Sequence, residues 1–186
     1  RVNVADQKLP PPAQSGTVQV NKVDANNNVL KGGCFRLFDG QNPVTAQFCD
    51  NSDGVNDGVI LIKNAPVGTW TLRETLAPSI DFKIADDRQV VVKNNEVTVV
   101  SVPNYLKDGR IKIRKVDPSG NPIQGACFDI TNDNQKAQCS DVNGSIVFTL
   151  APGTYNLTET TTPTGFQKTA DRTGIVVKPG QTTTLT

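Results

Sequence analysis

An internal repeat constrains this 186-residue chain more than any other feature of its sequence. The stretch "KVDANNNVLKGGCFRLF" from Lys22 matches "KVDPSGNPIQGACFDI" from Lys115, and "GTWTLRETLAP" from Gly68 matches "GTYNLTETTTP" from Gly153. Each copy is long enough to bury a modest core of its own. We therefore predict two tandem domains, at residues 14–106 and 107–186, preceded by a stiff, proline-containing linker within residues 1–13.

The hydrophobic pattern of both copies is typical of β-strands. Runs rich in Val, Ile and Thr alternate with turn sequences such as "DGQNP", "PSGNP" and "KPG", and long helical periodicity is missing. No apolar run approaches the roughly 20 residues that a membrane-spanning helix needs. The pattern predicts an all-β protein in which each copy forms a β-sandwich.

Composition excludes several classes of function. The chain has no histidine, which removes the usual general base, the usual zinc ligand and the partner of a nucleophilic serine or cysteine. With 19 basic and 18 acidic residues, it carries no charge excess that would favour nucleic acid. The stretch "DNSDGVND" from Asp50 lacks the spacing and closing glutamate of a calcium loop, so we predict a solvated turn there. We predict no cofactor, no metal and no enzymatic turnover.

The four cysteines fall two per copy. Cys34 and Cys49 lie symmetrically about the turn "DGQNP", and Cys127 and Cys139 about "TNDNQ". Each pair would face across an antiparallel hairpin, which favours one disulfide per copy over free thiols or metal ligands. Such bridges persist in oxidising, extracellular settings.

Three polar residue types occur where the strand pattern requires apolar side chains. Successive side chains of a strand point to opposite faces, so a residue shares its face with the second residue before it. By this rule a lysine and a glutamate fall on the core face in both copies, and an asparagine does so in the first. These residues are Lys22, Glu74 and Asn104 in copy one, and Lys115 and Glu159 in copy two.

Unpaired charges on a core face would cost several kcal/mol in each copy, so we predict that these side chains meet. An apolar environment favours the neutral forms of an amine and a carboxyl group. A neutral lysine amine can attack the carboxamide carbon of asparagine while the glutamic acid polarises it and transfers protons. The expected product is an amide cross-link, formed once per domain with loss of ammonia.

These residues lie in a recognisable pattern. The "KVD" start, the "GACF" strand, the "PGTY" turn and the "ETTTP" box, with small changes in copy one, resemble the CnaB-type, prealbumin-like repeats of Gram-positive surface proteins and pilins. The resemblance implies two tandem immunoglobulin-like sandwiches, each with a Lys–Asn isopeptide bond. Carried over by position, Lys22 would bond Asn104 with Glu74 assisting, and Lys115 and Glu159 would play the same parts in copy two.

Copy two departs from the family pattern at its acceptor. Aligning Ser101 with Thr186 places the counterpart of Asn104 three residues beyond the end of this sequence, so copy two lacks its acceptor residue. The chain opens "RVN", which would supply the missing positions if repeats followed head to tail. We therefore predict that Asn3 is the tail of a preceding repeat and can act as acceptor for Lys115 of another molecule.

Taken together, these patterns predict a stalk module of an extracellular adhesin or pilus-like protein, associated with the cell wall. Its predicted partners are neighbouring repeats of the same protein and, through Asn3, another copy of the chain. No nucleic acid is expected, nor membrane insertion within this segment. Two alternatives stay open: a domain that binds a glycan or matrix protein, and a transthyretin-like sandwich without cross-links.

Overall fold

The computed structural model describes residues 14–131, 133 and 135–186. The chain divides into two compact units between Tyr105 and Leu106, one residue before the predicted boundary. Apart from one short 3-10 turn, every element in the described residues is a β-strand, which confirms the all-β prediction. The predicted linker within residues 1–13 lies outside the described residues.

Domain 1 contains eight strands and the 3-10 turn. They are β1 (Ser15–Val23), β2 (Cys34–Asp39), β3 (Asn42–Pro43), β4 (Phe48–Cys49), the 3-10 turn (Asp50–Asp53), β5 (Val59–Pro66), β6 (Gly68–Leu76), β7 (Arg88–Val92) and β8 (Val97–Pro103). One sheet has the order β5-β1-β8, and the other has the order β3-β2-β6-β7 with β4 also paired to β2.

The two sheets of domain 1 enclose one hydrophobic core. The alternation along β1 is regular, with every second residue from Gly16 to Lys22 buried. Both sheets contribute buried apolar side chains, which are Val18, Val20, Ile60, Ile62, Ala65 and Val102 from the first sheet, and Phe35, Leu37, Leu72, Val90 and Val92 from the second. Burial of one face from each sheet is the arrangement of a β-sandwich.

Domain 2 repeats this architecture with seven strands. They are β9 (Gly109–Arg114), β10 (Cys127–Thr131), β11 (Gln138–Cys139), β12 (Ser145–Leu150), β13 (Gly153–Thr161), β14 (Arg172–Val177) and β15 (Thr182–Leu185). The sheets have the orders β12-β9-β15 and β11-β10-β13-β14. Its core includes Ile111, Ile113, Phe128, Phe148 and Leu157.

In each domain the first and last strands are parallel neighbours. In domain 1, β1 pairs with β8 over seven positions, from Thr17 opposite Val97 to Val23 opposite Pro103. In domain 2, β9 pairs with β15 over four positions. Because the chain enters through the first strand and leaves through the last, tension on the chain loads these paired strands in shear, along their hydrogen-bonded edges.

Equivalent aspartates organise the turn after the first strand in both copies. Asp24 accepts hydrogen bonds from the backbone of Asn26 and Asn28, and Asp117 accepts them from Ser119 and Asn121. Such side-chain to backbone bonds stabilise a turn without a helix or a sheet. The hydrogen bonds from Asn28 and from Asn121 are the main cause that lowers the pKa of Asp24 and Asp117 respectively.

Within the described part of the chain, none of the elements is a helix with the length and apolar character needed to traverse a lipid bilayer.

Candidate cross-linking site

Lys22 lies on the core face of β1 with its whole side chain excluded from solvent. The backbone fixes its position from both sides, because its N–H donates to the carbonyl of Gly58 and its carbonyl accepts from the N–H of Leu30. The amine lies 5.2 Å from the ring centre of Phe35, an apolar neighbour that supplies no hydrogen-bond acceptor oxygen. The amine must therefore find its polar partner elsewhere in the core.

Glu74 provides that partner from the opposite sheet. Its β6 position is opposite Phe35 of β2, directly beside an irregularity in the strand register between Cys34 and Phe35. A shift of register of this kind, as in a β-bulge, changes the direction in which a neighbouring side chain points. The carboxylate is 0 % exposed, and Oε1 of Glu74 lies 2.9 Å from the Nζ atom of Lys22.

Asn104 approaches the other oxygen of the same carboxylate. It follows β8, and its backbone N–H donates to the carbonyl of Val23, which continues the parallel pairing with β1. Its side-chain Nδ2 donates to Oε2 of Glu74 at 2.7 Å and to the carbonyl of Lys83 at 2.8 Å. One buried carboxylate thus contacts the lysine amine through Oε1 and the asparagine amide nitrogen through Oε2.

The polar atoms of this cluster are incompletely satisfied. Oε1 of Glu74 and Oδ1 of Asn104 are buried without a hydrogen-bond partner among the described residues, although the lysine amine lies 2.9 Å from Oε1 as its ion-pair partner. Burial is the largest influence on Lys22 and lowers the pKa of its amine, while the attraction of the Glu74 carboxylate opposes that change. Burial therefore favours the neutral, nucleophilic amine.

Domain 2 brings its lysine and glutamate together in a similar way. Lys115 follows β9, and its Nζ lies 3.4 Å from Oε2 of Glu159, a fully buried carboxylate. Glu159 lies opposite Phe128 at an equivalent register irregularity. The amine also contacts the hydroxyl of Thr169, whose backbone N–H donates to Oε2 of Glu159 at 2.6 Å.

Two features distinguish the second cluster from the first. The Lys115 side chain is 12 % exposed, whereas that of Lys22 is 0 % exposed, and the Lys115 amine lies 3.4 Å from its carboxylate, whereas the Lys22 amine lies 2.9 Å from that of Glu74. In both clusters, Oε1 of the glutamate is buried without a hydrogen-bond partner in the described part of the chain. Asn3, the predicted acceptor from another molecule, lies outside the described residues, so its role stays a prediction.

Both predicted disulfides are present. Cys34 bonds Cys49, and Cys127 bonds Cys139, with the partners directly opposite each other in antiparallel pairs. The described residues contain no free cysteine. The hairpin symmetry in the sequence was sufficient to pair them.

Asp50 has a role that its sequence context did not indicate, and the prediction of a solvated turn is wrong for this residue. Asp50 is 1 % exposed, and its carboxylate accepts hydrogen bonds from the backbone of Gly32, Asp57 and Gly58. It thereby ties together two loops that flank Lys22. Its position directly after the second cysteine is a usable signal, because Ser140 follows Cys139 in copy two and is also buried.

Thr169 and Lys83 were also missed. Thr169 contacts the Lys115 amine, and the Lys83 carbonyl holds the amide of Asn104. Both belong to the segment after the glutamate strand, where the two copies differ in sequence and in length. A backbone carbonyl leaves no signature in a sequence, so only the fold reveals its position. Among the described residues, no group of three or more His, Cys, Asp or Glu side chains could hold a metal ion.

Comparison with known proteins identifies the domain type. A family model described as "SpaA: Prealbumin-like fold domain" matches residues 16–105 and again residues 109–186. No curated protein matches the chain. Among solved structures, "The Bacillus anthracis TIE protein" is similar at 23% identity and a TM-score of 0.52, covering 93% of this chain and 33% of that chain.

Two further structures match with lower scores. "Structure of the Streptococcal ancillary pilin" matches at 19% identity and a TM-score of 0.44, covering 93% of this chain and 62% of that one. GBS52, the minor pilin of Streptococcus agalactiae, matches at 17% identity and a TM-score of 0.38, covering 91% of this chain and 93% of that one. The chain thus spans less than two thirds of the length of the first two structures.

Proposed function

The chain belongs to the SpaA prealbumin-like fold family, and on this premise we propose that it is a structural module of an extracellular stalk. In this proposal, an amide bond between Lys22 and Asn104 ties the first strand of domain 1 to its last strand. One disulfide in each domain closes a hairpin beside the core. The module performs a mechanical role and turns over no substrate.

The observation that carries this proposal is the position of the Glu74 carboxyl between the two reacting nitrogens. Oε1 lies 2.9 Å from the lysine amine, and Oε2 lies 2.7 Å from the asparagine amide nitrogen. A group in this position can take a proton from the attacking nitrogen and deliver one to the leaving nitrogen. An ion pair that served stability alone would not require a carboxamide on the second oxygen.

The reaction follows from these contacts. The neutral Nζ of Lys22 attacks Cγ of Asn104, and the carbonyl π-electrons move to Oδ1. The carboxyl group of Glu74 receives a proton from Nζ and supplies one to Nδ2. The bond between Cγ and Nδ2 then breaks, the carbonyl re-forms, and ammonia leaves with the one proton that Nζ has lost. Because the fold holds the groups together, the step benefits from a high effective concentration.

The location of the bond explains its mechanical effect. Tension that enters through β1 reaches Lys22, crosses the amide bond to Asn104 and continues into the next domain. The residues between these two positions carry no load, so the domain cannot be extended by shearing β1 from β8. Two disulfides also support an oxidising, extracellular location, and we place the module on the cell wall as part of this proposal.

Intact mass spectrometry tests the bond directly. We expect the protein to be lighter than its sequence mass by about 17 Da for the lost ammonia and by about 2 Da for each disulfide, of which only the latter is restored by reductant. Tandem mass spectrometry of a protease digest should then find Lys22 and Asn104 in one branched peptide. A protein at full sequence mass after reduction would be a transthyretin-like sandwich without a cross-link, and would refute the proposal.

Lys22→Arg provides the matched control for the mass measurement. Arginine keeps a positive charge at this position, but its guanidinium group stays protonated and is not a nucleophile at neutral pH. The variant should therefore lose no ammonia, and after reduction its mass should equal the mass of its sequence. If it still lacked about 17 Da, the loss would come from another reaction, such as one at a different asparagine.

A further inference from the structure

A short segment directly before β2 covers the lysine and the glutamate of domain 1. Gly33 is buried, and a methyl group built on its Cα would lie 3.5 Å from Oε1 of Glu74 and 3.7 Å from Cε of Lys22. The φ angles of Gly32 and Gly33, +90° and +98°, belong to the left-handed region that glycine adopts without strain. We call Gly32 and Gly33 the cover segment, because their backbone lies against a pair of side chains that are both 0 % exposed.

Hydrogen bonds attach the cover segment to Asp50. The backbone N–H of Gly32 donates to the Asp50 carboxylate at 2.6 Å, and the N–H of Asp50 donates to the carbonyl of Gly33 at 3.1 Å. The same carboxylate accepts from the backbone N–H of Gly58, whose carbonyl accepts from the N–H of Lys22. Asp50 therefore fixes the cover segment and the lysine strand relative to each other.

The disulfide of domain 1 is the covalent counterpart of these hydrogen bonds. Cys34 directly follows the cover segment and Cys49 directly precedes Asp50, so the bridge joins the same two stretches of the chain. The strand that carries Cys49, β4, is two residues long, and its pairing with β2 covers two positions. So short a pairing offers little restraint by itself. The bridge therefore holds a stretch of chain that strand pairing holds weakly.

Cys34 also borders the register irregularity beside Glu74. Cys34 is opposite Leu76 and Phe35 is opposite Glu74, so Thr75 is the extra residue on β6. The hydroxyl of Thr75 donates to the carbonyl of Cys34 at 3.2 Å. The position of Cys34 therefore affects the direction of the Glu74 side chain as well as the position of the cover segment.

Domain 2 keeps this arrangement although its hairpin is shorter. Cys127 borders the equivalent irregularity beside Glu159, and the hydroxyl of Thr160 donates to the carbonyl of Cys127 at 3.3 Å. Ser140 takes the place of Asp50 after the second cysteine, and it is hydrogen-bonded to the stretch before the first cysteine. The bridges span 15 and 12 positions, so the hairpin length varies while the place of the first cysteine beside the glutamate does not.

The bridge of domain 1 has no load to carry once the proposed amide bond has formed. Cys34 and Cys49 lie between Lys22 and Asn104 in the sequence, and this part of the chain is unloaded in a cross-linked domain. The bridge therefore has its largest effect before the amide bond exists, when the reacting groups must still be held in contact. Holding reacting groups in place raises the rate of their reaction, and a displacement of about 1 Å can lower the rate about 100-fold.

We propose that the Cys34–Cys49 disulfide is a positioning element of the cross-linking reaction, so that the amide bond forms rapidly only after these two thiols have been oxidised. The proposal rests on the bond proposed above between Lys22 and Asn104. In the oxidation, the two thiols lose two electrons and two protons to an external disulfide, which is reduced to two thiols. The closed bridge then holds the cover segment and the Glu74 carboxylate in place for the attack by the amine.

An external reagent can reach this bridge in the folded domain. Cys49 is half-buried, and both cysteines line a cavity of about 410 Å³ together with the cover segment. Thiols stay reduced in most cytosols and are oxidised outside the cell. The cross-link of domain 1 would therefore form mainly after export.

The rate of cross-linking in oxidised and in reduced protein tests the proposal. The 186-residue protein is isolated in denaturant shortly after synthesis, before it cross-links, and is refolded with either oxidised glutathione or a reducing agent. Intact mass follows the loss of about 17 Da of ammonia. The fluorescence of Trp70, the only tryptophan of the chain, reports the folded fraction of domain 1. Per folded molecule, we expect the loss to be about 10 to 100 times slower in the reduced protein.

Two pairs of cysteine substitutions serve as controls. Cys34→Ser with Cys49→Ser should react slowly under both conditions, and oxidised glutathione should not rescue it, whereas added oxidised glutathione should restore the fast rate of reduced wild-type protein. Cys127→Ser with Cys139→Ser is the matched control, because it removes the other bridge. This variant should keep the wild-type rate and its dependence on oxidant.

The outcomes separate this proposal from the one on the bond itself. Equal rates per folded molecule in oxidised and reduced protein would leave the bond in place and overturn the positioning role. Absence of ammonia loss under both conditions would refute the bond, and the positioning role with it. If reduced domain 1 showed no folded Trp70 signal, the bridge would be a condition for folding, which also overturns the proposal. Equal slowing by removal of the domain 2 bridge would overturn the assignment to Cys34 and Cys49.

Discussion

Replacement of Glu74 by glutamine should convert domain 1 from an inextensible element into one that unfolds under force. Glutamine is close in size to glutamate, but its amide cannot transfer protons between Lys22 and Asn104, so the proposed bond should not form. Force applied at the two ends of the protein would then reach the strands between these residues. In the unmodified protein, the proposed bond would carry the load past those strands.

The size of the effect follows from the chain between the two bonded residues. Roughly 80 residues lie between Lys22 and Asn104, and the disulfide separated by 15 positions keeps part of them closed. The remaining 65 or so residues would extend to about 230 Å at 3.5 Å per residue. Because Lys22 and Asn104 both contact the Glu74 carboxylate, the ends of this segment are already close together in the folded domain. Nearly the whole length is therefore gained, and the expected increase is about 220 Å.

Single-molecule force spectroscopy measures this gain in contour length. The oxidised wild-type protein should show one unfolding event, from domain 2, and the Glu74→Gln protein should show two. The matched control is Glu159→Gln, which makes the same change in domain 2 and should leave a single event. Asn104→Ala keeps Glu74 but removes the acceptor, and should also give two events. A wild-type protein that showed both extensions would refute the reasoning.

Three further predictions concern stability. Cys34→Ser combined with Cys49→Ser should lower the free energy of unfolding of domain 1 by about 3 kcal/mol in denaturant titrations, because the bridge no longer restrains the unfolded chain; no loss would contradict this. Asp50→Asn should cost about 1–3 kcal/mol, since it removes a charged acceptor from three backbone N–H groups, and unchanged thermal unfolding would rule this out. Hydrogen bonds lower the pKa of Asp117 in the folded state below its ordinary value of 3.8. The ionised carboxylate should therefore contribute its full stabilisation of the folded state above pH 3.8, and this contribution should be lost as the pH falls through the folded-state pKa. NMR titration of the carboxyl group should show this, and a titration at or above 3.8 would disprove it.

Much of the fold could be predicted because the two copies repeat the same local patterns. The parity rule placed Lys22 and Glu74 on core faces without any structure, because the period of a strand is two residues wherever the strand is regular. The cysteine pairs followed from the symmetry of their hairpins. The fate of Asp50 could not be derived in this way, since its burial depends on two distant loops that meet around it.

The sequence by itself determined the repeat, the strand pattern, the disulfide pairing and the kinds of polar residue on the core faces, because each depends on neighbours along the chain. Only the tertiary structure decided that one carboxylate contacts both Lys22 and Asn104, since Lys22 lies on β1, Asn104 follows β8, and Glu74 lies on β6 of the other sheet. It also decided that the Lys115 amine lies 3.4 Å from Glu159, because Lys115 follows β9 of one sheet and Glu159 lies on β13 of the other. Chemistry between residues that are distant in the sequence depends on differences of a few tenths of an ångström in the distances between their atoms. Packing in the folded protein sets those distances, and the spacing of residues along the sequence does not.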